Sequence, residues 1–249
     1  MIIDSTHSIM KKVSTSVIFT CCIAGFGVNL AEGSEARWSG LSEVAFSSVY
    51  IFRGTEAAGP IIQPTVLATY ADTVDSLTFG LSGAYGLKRD SILAPGSKYS
   101  ETNFRGFYTH QWASASMSLG GTIYRINGLS DFDTGKSFKY YGESVASVAF
   151  KIKFDPTISF WREYGRLQTN YVEISASHRF RLSKEFDLTI RPHLGVIERG
   201  FNYFGAETSL SYDIGNRFYA LATVGAQRNN FGLVRRDRAF FSTSLGRRW

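Results

Sequence analysis

From residue 41 to the C-terminus, apolar and polar positions alternate with a period of two, and almost nothing carries a helical repeat. Leu77, Phe79, Leu81, Gly83 and Tyr85 fall on one side, with Thr78, Gly80, Ser82 and Ala84 on the other. The same rhythm separates Val172, Ile174, Ala176 and Phe180 from Glu173, Ser175, Ser177 and Arg179. It recurs in 115–123, 204–214 and 217–227. The pattern predicts about twelve strands, at 41–53, 62–72, 76–86, 103–112, 114–126, 141–154, 157–164, 169–182, 187–197, 203–213, 217–228 and 239–249. Most hold about ten residues or more, the length a tilted strand needs to cross a bilayer.

The connections sort by parity. Those after even strands are tight, such as Ala71-Asp72-Thr73-Val74-Asp75 and Asp213-Ile214-Gly215-Asn216. Those after odd strands are longer and more polar, notably 87–102, 127–140 and 229–238. Short periplasmic turns alternating with longer outer loops are the plan of an outer-membrane barrel with both termini inside. A soluble sandwich has no reason to separate its loops in this way. The expected fold is therefore all-β: one closed antiparallel up-and-down transmembrane β-barrel of about twelve strands, spanning 37–249. Aromatic residues near strand ends on the apolar side (Phe46, Phe52, Tyr85, Trp112, Phe154, Tyr212 and Phe218) suit interfacial girdles. Outer-membrane lipid is the expected surrounding.

Composition refines this picture at the N-terminus. Met10-Lys11-Lys12 gives a positive region, Val13 to Leu30 is a mostly apolar stretch without charge, and Ser34 and Ala36 offer a cleavage site. Residues 1–36 are expected to be a signal peptide, with Met10 a candidate true start. Both cysteines, Cys21 and Cys22, lie inside that segment. The expected mature chain has none, which excludes disulfides, thiol nucleophiles and cysteine–metal sites.

The formal net charge is +6 and the sequence pI about 9.3. The basic residues alternate with apolar ones instead of clustering, so nucleic-acid binding is discounted. An Arg or Lys facing lipid at mid-bilayer costs about 2–4 kcal/mol, whereas one facing water costs little. The charged residues on the polar parity are thus the candidate pore-lining set: Arg53, Arg105, Lys151, Lys153, Glu173, Arg179, Arg181, Arg191, His193, Glu207 and Arg217. Arg228, Glu43, Glu143 and Asp187 are assigned to the same side. Basic groups in a narrow lumen attract anions, so an anion preference is one expectation. A closed interior of compensating charge pairs is the other.

Candidate chemistry is sparse. Beyond residue 36 the histidines are His110, His178 and His193, and none has an evident Ser and acid beside it for a triad. Ser130-Asp-Phe-Asp-Thr-Gly135 lacks the ligand spacing of a calcium loop and reads as a solvated outer loop. Gly80-Leu-Ser-Gly83 has no helix after it to cradle a phosphate. No cofactor, metal or catalytic step is expected.

The final strand runs Ala239-Phe-Phe-Ser-Thr-Ser-Leu-Gly-Arg-Arg-Trp249. It resembles the C-terminal signal that bacterial barrels present to their assembly machinery, with Trp249 in place of the commoner Phe. Arg247 falls on the apolar parity, where a long side chain near the interface can snorkel to water. Tyr50-Ile-Phe-Arg-Gly54, followed by Pro60 and Gln63, resembles the first hairpin of the proteobacterial TorF-type porins. Ala57-Ala58-Gly59 departs from that family's more polar loop. The resemblance covers about twenty residues and implies passive passage of small solutes, with Arg53 at the outer end of the first strand. Other twelve-stranded channels, including those for acidic oligosaccharides, fit the same strand plan. A porin-like channel is the leading expectation; a barrel hydrolase and a plugged structural or adhesive barrel are the rivals.

Overall fold

The structure, a computed structural model, describes residues 36–52, 55–89, 96, 98–130, 137–165, 168–198, 200–230 and 237–249. The expected signal peptide, Arg53 and most of the 130–135 loop lie outside the described residues. The strands are β1 (Arg37–Ser47), β2 (Tyr50–Phe52), β3 (Thr55–Ala58), β4 (Ile61–Ala71), β5 (Asp75–Gly86), β6 (Ser100–Gln111), β7 (Ala115–Ser130) and β8 (Ser137–Phe150). They continue with β9 (Thr157–Tyr164), β10 (Asn170–Ser175), β11 (His178–Arg181), β12 (Phe186–Ile197), β13 (Phe201–Gly215), β14 (Phe218–Asn229) and β15 (Asp237–Arg248).

All neighbouring pairs are antiparallel, and β1 pairs both β4 and β15, so the sheet returns on itself. β10 and β11 both pair β12 and form one interrupted barrel strand, which makes a closed barrel of twelve. The interruption has a local cause. Ala176 N–H donates to the Pro192 carbonyl at 3.1 Å, but proline has no N–H to return the bond. At the seam, Gly40 and Trp249 exchange backbone bonds of 2.8 and 3.0 Å, and the Trp249 indole N–H donates to Ser42 Oγ at 3.2 Å.

Alternation gives the two faces different solvents. Val44, Ile123 and Val224 point outward at 55%, 60% and 60% exposed, in company with Leu81, Phe104 and Leu245. An apolar surface continuous around the whole cylinder would aggregate in water; hydrocarbon is the solvent that suits it. Inward positions hold Glu43, Gln63, Thr65, Ser82, Asn103, Ser147 and Thr223, all buried. Outward aromatic pairs ring the short-turn end, including Trp38–Tyr70 and Phe186–Tyr212 with centroids 5.3 and 4.7 Å apart. Arg247 lies outward and stacks over Phe218 at 5.4 Å.

The first predicted strand differs from the expectation. It ends at Ser47, and Tyr50–Phe52 (β2) pairs with Thr55–Ala58 (β3) as a separate hairpin instead of extending the barrel wall. Tyr50, Ile51, Ala57 and Ala58 are 6%, 7%, 2% and 1% exposed, so the hairpin is folded into the barrel. The small residues Ala57 and Ala58 allow the backbone to approach the inner wall closely. Phe52, expected in a girdle, belongs to this hairpin.

Candidate functional site: the barrel interior

The hairpin strands β2 and β3 pack inside the outer part of the barrel. They form one cluster with Ile61, Ala84, Tyr99, Tyr124, Ile126 and Tyr141. Polar contacts fix them there. Tyr50 Oη donates to Glu101 Oε1 at 3.1 Å, Tyr99 Oη donates to Glu101 Oε2, and Asn103 Nδ2 donates to Oε1 at 2.6 Å. Arg238 on the last strand forms an ion pair with Glu56 of the hairpin. A cavity of about 30 Å³ remains between the hairpin and the wall near Glu207 and Gln227, enough for about one water.

Further in, buried carboxyls recur around the wall, each held by neighbours. Arg191 Nη2 donates to Glu173 Oε1 at 2.8 Å, Arg191 Nη1 lies 3.9 Å from Glu207 Oε2, and Tyr203 Oη donates to Glu173 Oε2 at 2.7 Å. Tyr124 Oη donates to Glu143 Oε2 at 3.0 Å while its ring stacks on Tyr141 at 4.4 Å. Trp161 stacks on Tyr171 at 5.3 Å. Toward the short-turn end, Glu43 accepts from Tyr219 Oη at 2.6 Å and from Ser244 Oγ at 3.0 Å, and Arg248 lies over the Tyr219 ring at 4.5 Å. Beyond Tyr219 the barrel opens into a cavity of about 650 Å³.

The candidate residues separate into three groups. Glu173, Arg191 and Glu207 converge inside the barrel, with His193 buried on the same wall and Arg105 facing inward to donate to Ser82 Oγ at 2.5 Å. Arg179, Arg181 and Arg217 line the large cavity at the short-turn mouth. Lys151 and Lys153 sit in the exposed turn after β8, where Lys151 Nζ donates to the Trp112 carbonyl at 2.7 Å and Lys153 lies over Phe154 at 5.1 Å. Arg228 is outward-facing and ion-pairs with Asp237 at 2.8 Å near the long-loop end, because β14 places even residues outside.

Glu101, Glu163, the Glu56–Arg238 pair and several inward tyrosines are among the interior residues outside the candidate set. Glu101 shares the parity of Asn103 and Arg105, so extending the predicted strand by two residues would have found it. The histidines stand apart. His110 Nδ1 is 2.7 Å from Asp75 Oδ1 on the outer face, and His178 lies between the Phe154 and Phe180 rings at 5.1 and 4.5 Å.

No protein-family model matches the sequence, and no curated protein matches it. Solved structures of the same fold do. The COG4313 outer membrane channel from Pseudomonas putida F1 has a TM-score of 0.52 at 10% identity, covering 90% of this chain and 98% of that one. LpxR from Salmonella typhimurium has a TM-score of 0.50 at 9% identity, covering 84% and 99%. A KdgM porin has a TM-score of 0.49 at 10% identity, covering 84% and 98%. At such identities the likeness is one of fold. The closed twelve-stranded cylinder with an apolar outer surface is a β-barrel of the bacterial outer membrane.

Proposed function

We propose that this barrel is a porin-like channel for small polar solutes, narrowed in the described state by its own first outer loop. The observation that carries the reading is the pairing of a polar inner surface, with carboxyls, hydroxyls, amides and guanidinium groups from Glu101 to Glu43, with an outer obstruction that is a separate hairpin and no part of the wall's ladders. The plug is one hairpin attached at both ends to the outer rim. It is held by tyrosine and arginine side chains, and a shift of this hairpin opens the outer lumen without breaking any barrel ladder. The likeness of Tyr50-Ile-Phe-Arg-Gly54 to TorF-type porins supports the same reading. No catalytic step is included: His110 sits beside Asp75 on the outer face, His178 between the Phe154 and Phe180 rings, and His193 buried on the inner wall, so the three stand in separate surroundings.

Planar-bilayer recording tests the reading. The wild type is expected to give small or brief conductance steps, and a variant with residues 49–59 replaced by a short Gly-Ser linker larger and longer ones. Absence of steps from both refolded proteins removes the channel. A permanently filled, structural or adhesive barrel is then the better reading, favoured by the near-complete burial of Tyr50, Ala57 and Ala58. Reversal potentials in a KCl gradient test the anion preference, which fails where cations carry most of the current.

A further inference from the structure

The cavity of about 650 Å³ at the short-turn end has a composition unlike the interior above it. Five cationic side chains line it: Arg179, Arg181, Lys184, Arg217 and Arg248. Three carboxylates, Glu185, Asp187 and Asp213, share the space. Five cations against three carboxylates leave a formal excess of two positive charges, and each carboxylate already accepts a hydrogen bond, from a cation for Asp187 and from neutral donors for the other two. Asp187 Oδ2 accepts from Arg179, Glu185 Oε2 accepts from Ser183 Oγ at 3.0 Å, and Asp213 Oδ1 accepts from the Gly215 N–H at 3.0 Å. Arg181 Nε donates to the Ser183 carbonyl at 3.3 Å. Among the described residues Lys184 and Arg217 form no ion pair, while Arg248 lies over the Tyr219 ring near Glu43. Cationic donors therefore remain around a space large enough for a small molecule.

The backbone adds a separate observation. Asn216 and Arg217 have φ of 52° and 70°, the two left-handed central positions of a tight hairpin turn. Asn-Gly is the favoured pair for such a turn. Arginine stands where glycine would relax the chain, and its side chain reaches the cavity rim.

We propose that the periplasmic mouth of the barrel is a binding site for a multivalent anion bearing phosphate or carboxylate groups. Guanidinium groups recognise such oxyanions through paired N–H donors, and several cations around one cavity offset the weakness of any single exposed ion pair in water. The site depends on the mouth alone and stands whether or not the barrel conducts.

Isothermal titration of the refolded barrel in zwitterionic detergent, with pyrophosphate and with citrate, tests it. The expected result is saturable binding of one anion per barrel, weakened by added NaCl as charge screening requires. The tighter of the two probes identifies the group preferred. Arg217→Gly removes a cation while relieving the left-handed backbone, so a loss of affinity in it is not a loss of folding. It and Lys184→Gln should each bind about tenfold more weakly, the loss expected for one charge-assisted contact. Lys88→Gln, at the opposite end, should bind as the wild type does. No saturable binding of either anion, unchanged affinity in Arg217→Gly, or an equal loss in Lys88→Gln overturns the proposal.

Discussion

Four of the buried glutamates receive a tyrosine hydroxyl: Glu43 from Tyr219, Glu101 from Tyr50 and Tyr99, Glu143 from Tyr124, and Glu173 from Tyr203. The pairing has a simple physical basis. A carboxyl shielded from water needs donors, and tyrosine supplies one at the tip of a ring that also fills lumen volume. Inward glycines make room for those rings: a Cβ at Gly195 would overlap Tyr203, and one at Gly246 would overlap Tyr219. Removing one hydroxyl and removing one buried charge should then differ in scale. Tyr203→Phe is expected to lose about 1.5–3 kcal/mol, a hydrogen bond to a charged group. Arg191→Met should lose about 3–5 kcal/mol, because Glu173 and Glu207 both depend on that guanidinium. Denaturant unfolding in micelles measures both, and an Arg191→Met protein as stable as wild type contradicts the network. Parity alone places Glu173, Arg191 and Glu207 on the inner face. Their convergence is not legible, because the partners of Glu173 lie 18 and 30 residues away on other strands, and strand stagger decides which inward residues meet.

Single strands and turns carry the difference between lipid and water. Val224 points outward at 60% exposed, while Thr223 beside it is buried inside. Val224→Arg is expected to destabilise the barrel by about 2–4 kcal/mol where it meets the bilayer midplane. Urea titration of folding into lipid vesicles reads this directly; a neutral outcome would mean that the outer face does not meet hydrocarbon at that depth. The β13–β14 turn makes the opposite prediction. Relieving the left-handed backbone with Arg217→Gly should stabilise the barrel by about 1 kcal/mol. Most strand assignments from alternation agree with the structure, because period two is a direct record of two unlike solvents. The exceptions have local reasons. Pro192 interrupts the strand predicted at 169–182, and the even parity of β14 carries Arg228 to the outside.

At the level of the whole molecule, the proposed channel turns on how firmly the inward-folded hairpin is seated against the wall. Ala57 is 2% exposed, and the only cysteines of the sequence lie at 21 and 22. Ala57→Cys in a barrel refolded from residue 37 onward therefore provides a single reporter. A polar maleimide should label it slowly while the hairpin is seated. Adding Glu101→Ala, which deletes the acceptor of Tyr50 and Tyr99, should speed labelling by about tenfold, the loss of one hydrogen bond to a charged group. Equal rates in the two proteins would mean that these contacts do not seat the plug.

The sequence by itself determined the closed sheet, its approximate strand number, the facing of most side chains and the distinction between short-turn and long-loop ends. Each of these is local: alternation follows from the pleat, and turn length follows from residue spacing. Only the tertiary structure decided that β2 and β3 leave the wall and pack inside the barrel, and that Arg179, Arg181 and Arg217 gather at the mouth while Arg191 is buried between two glutamates. A hairpin that lies in the wall and one that folds inward have the same two-residue period. What separates them is whether the closed cylinder offers a cavity lined with matching donors and acceptors, which exists only once all the strands have met.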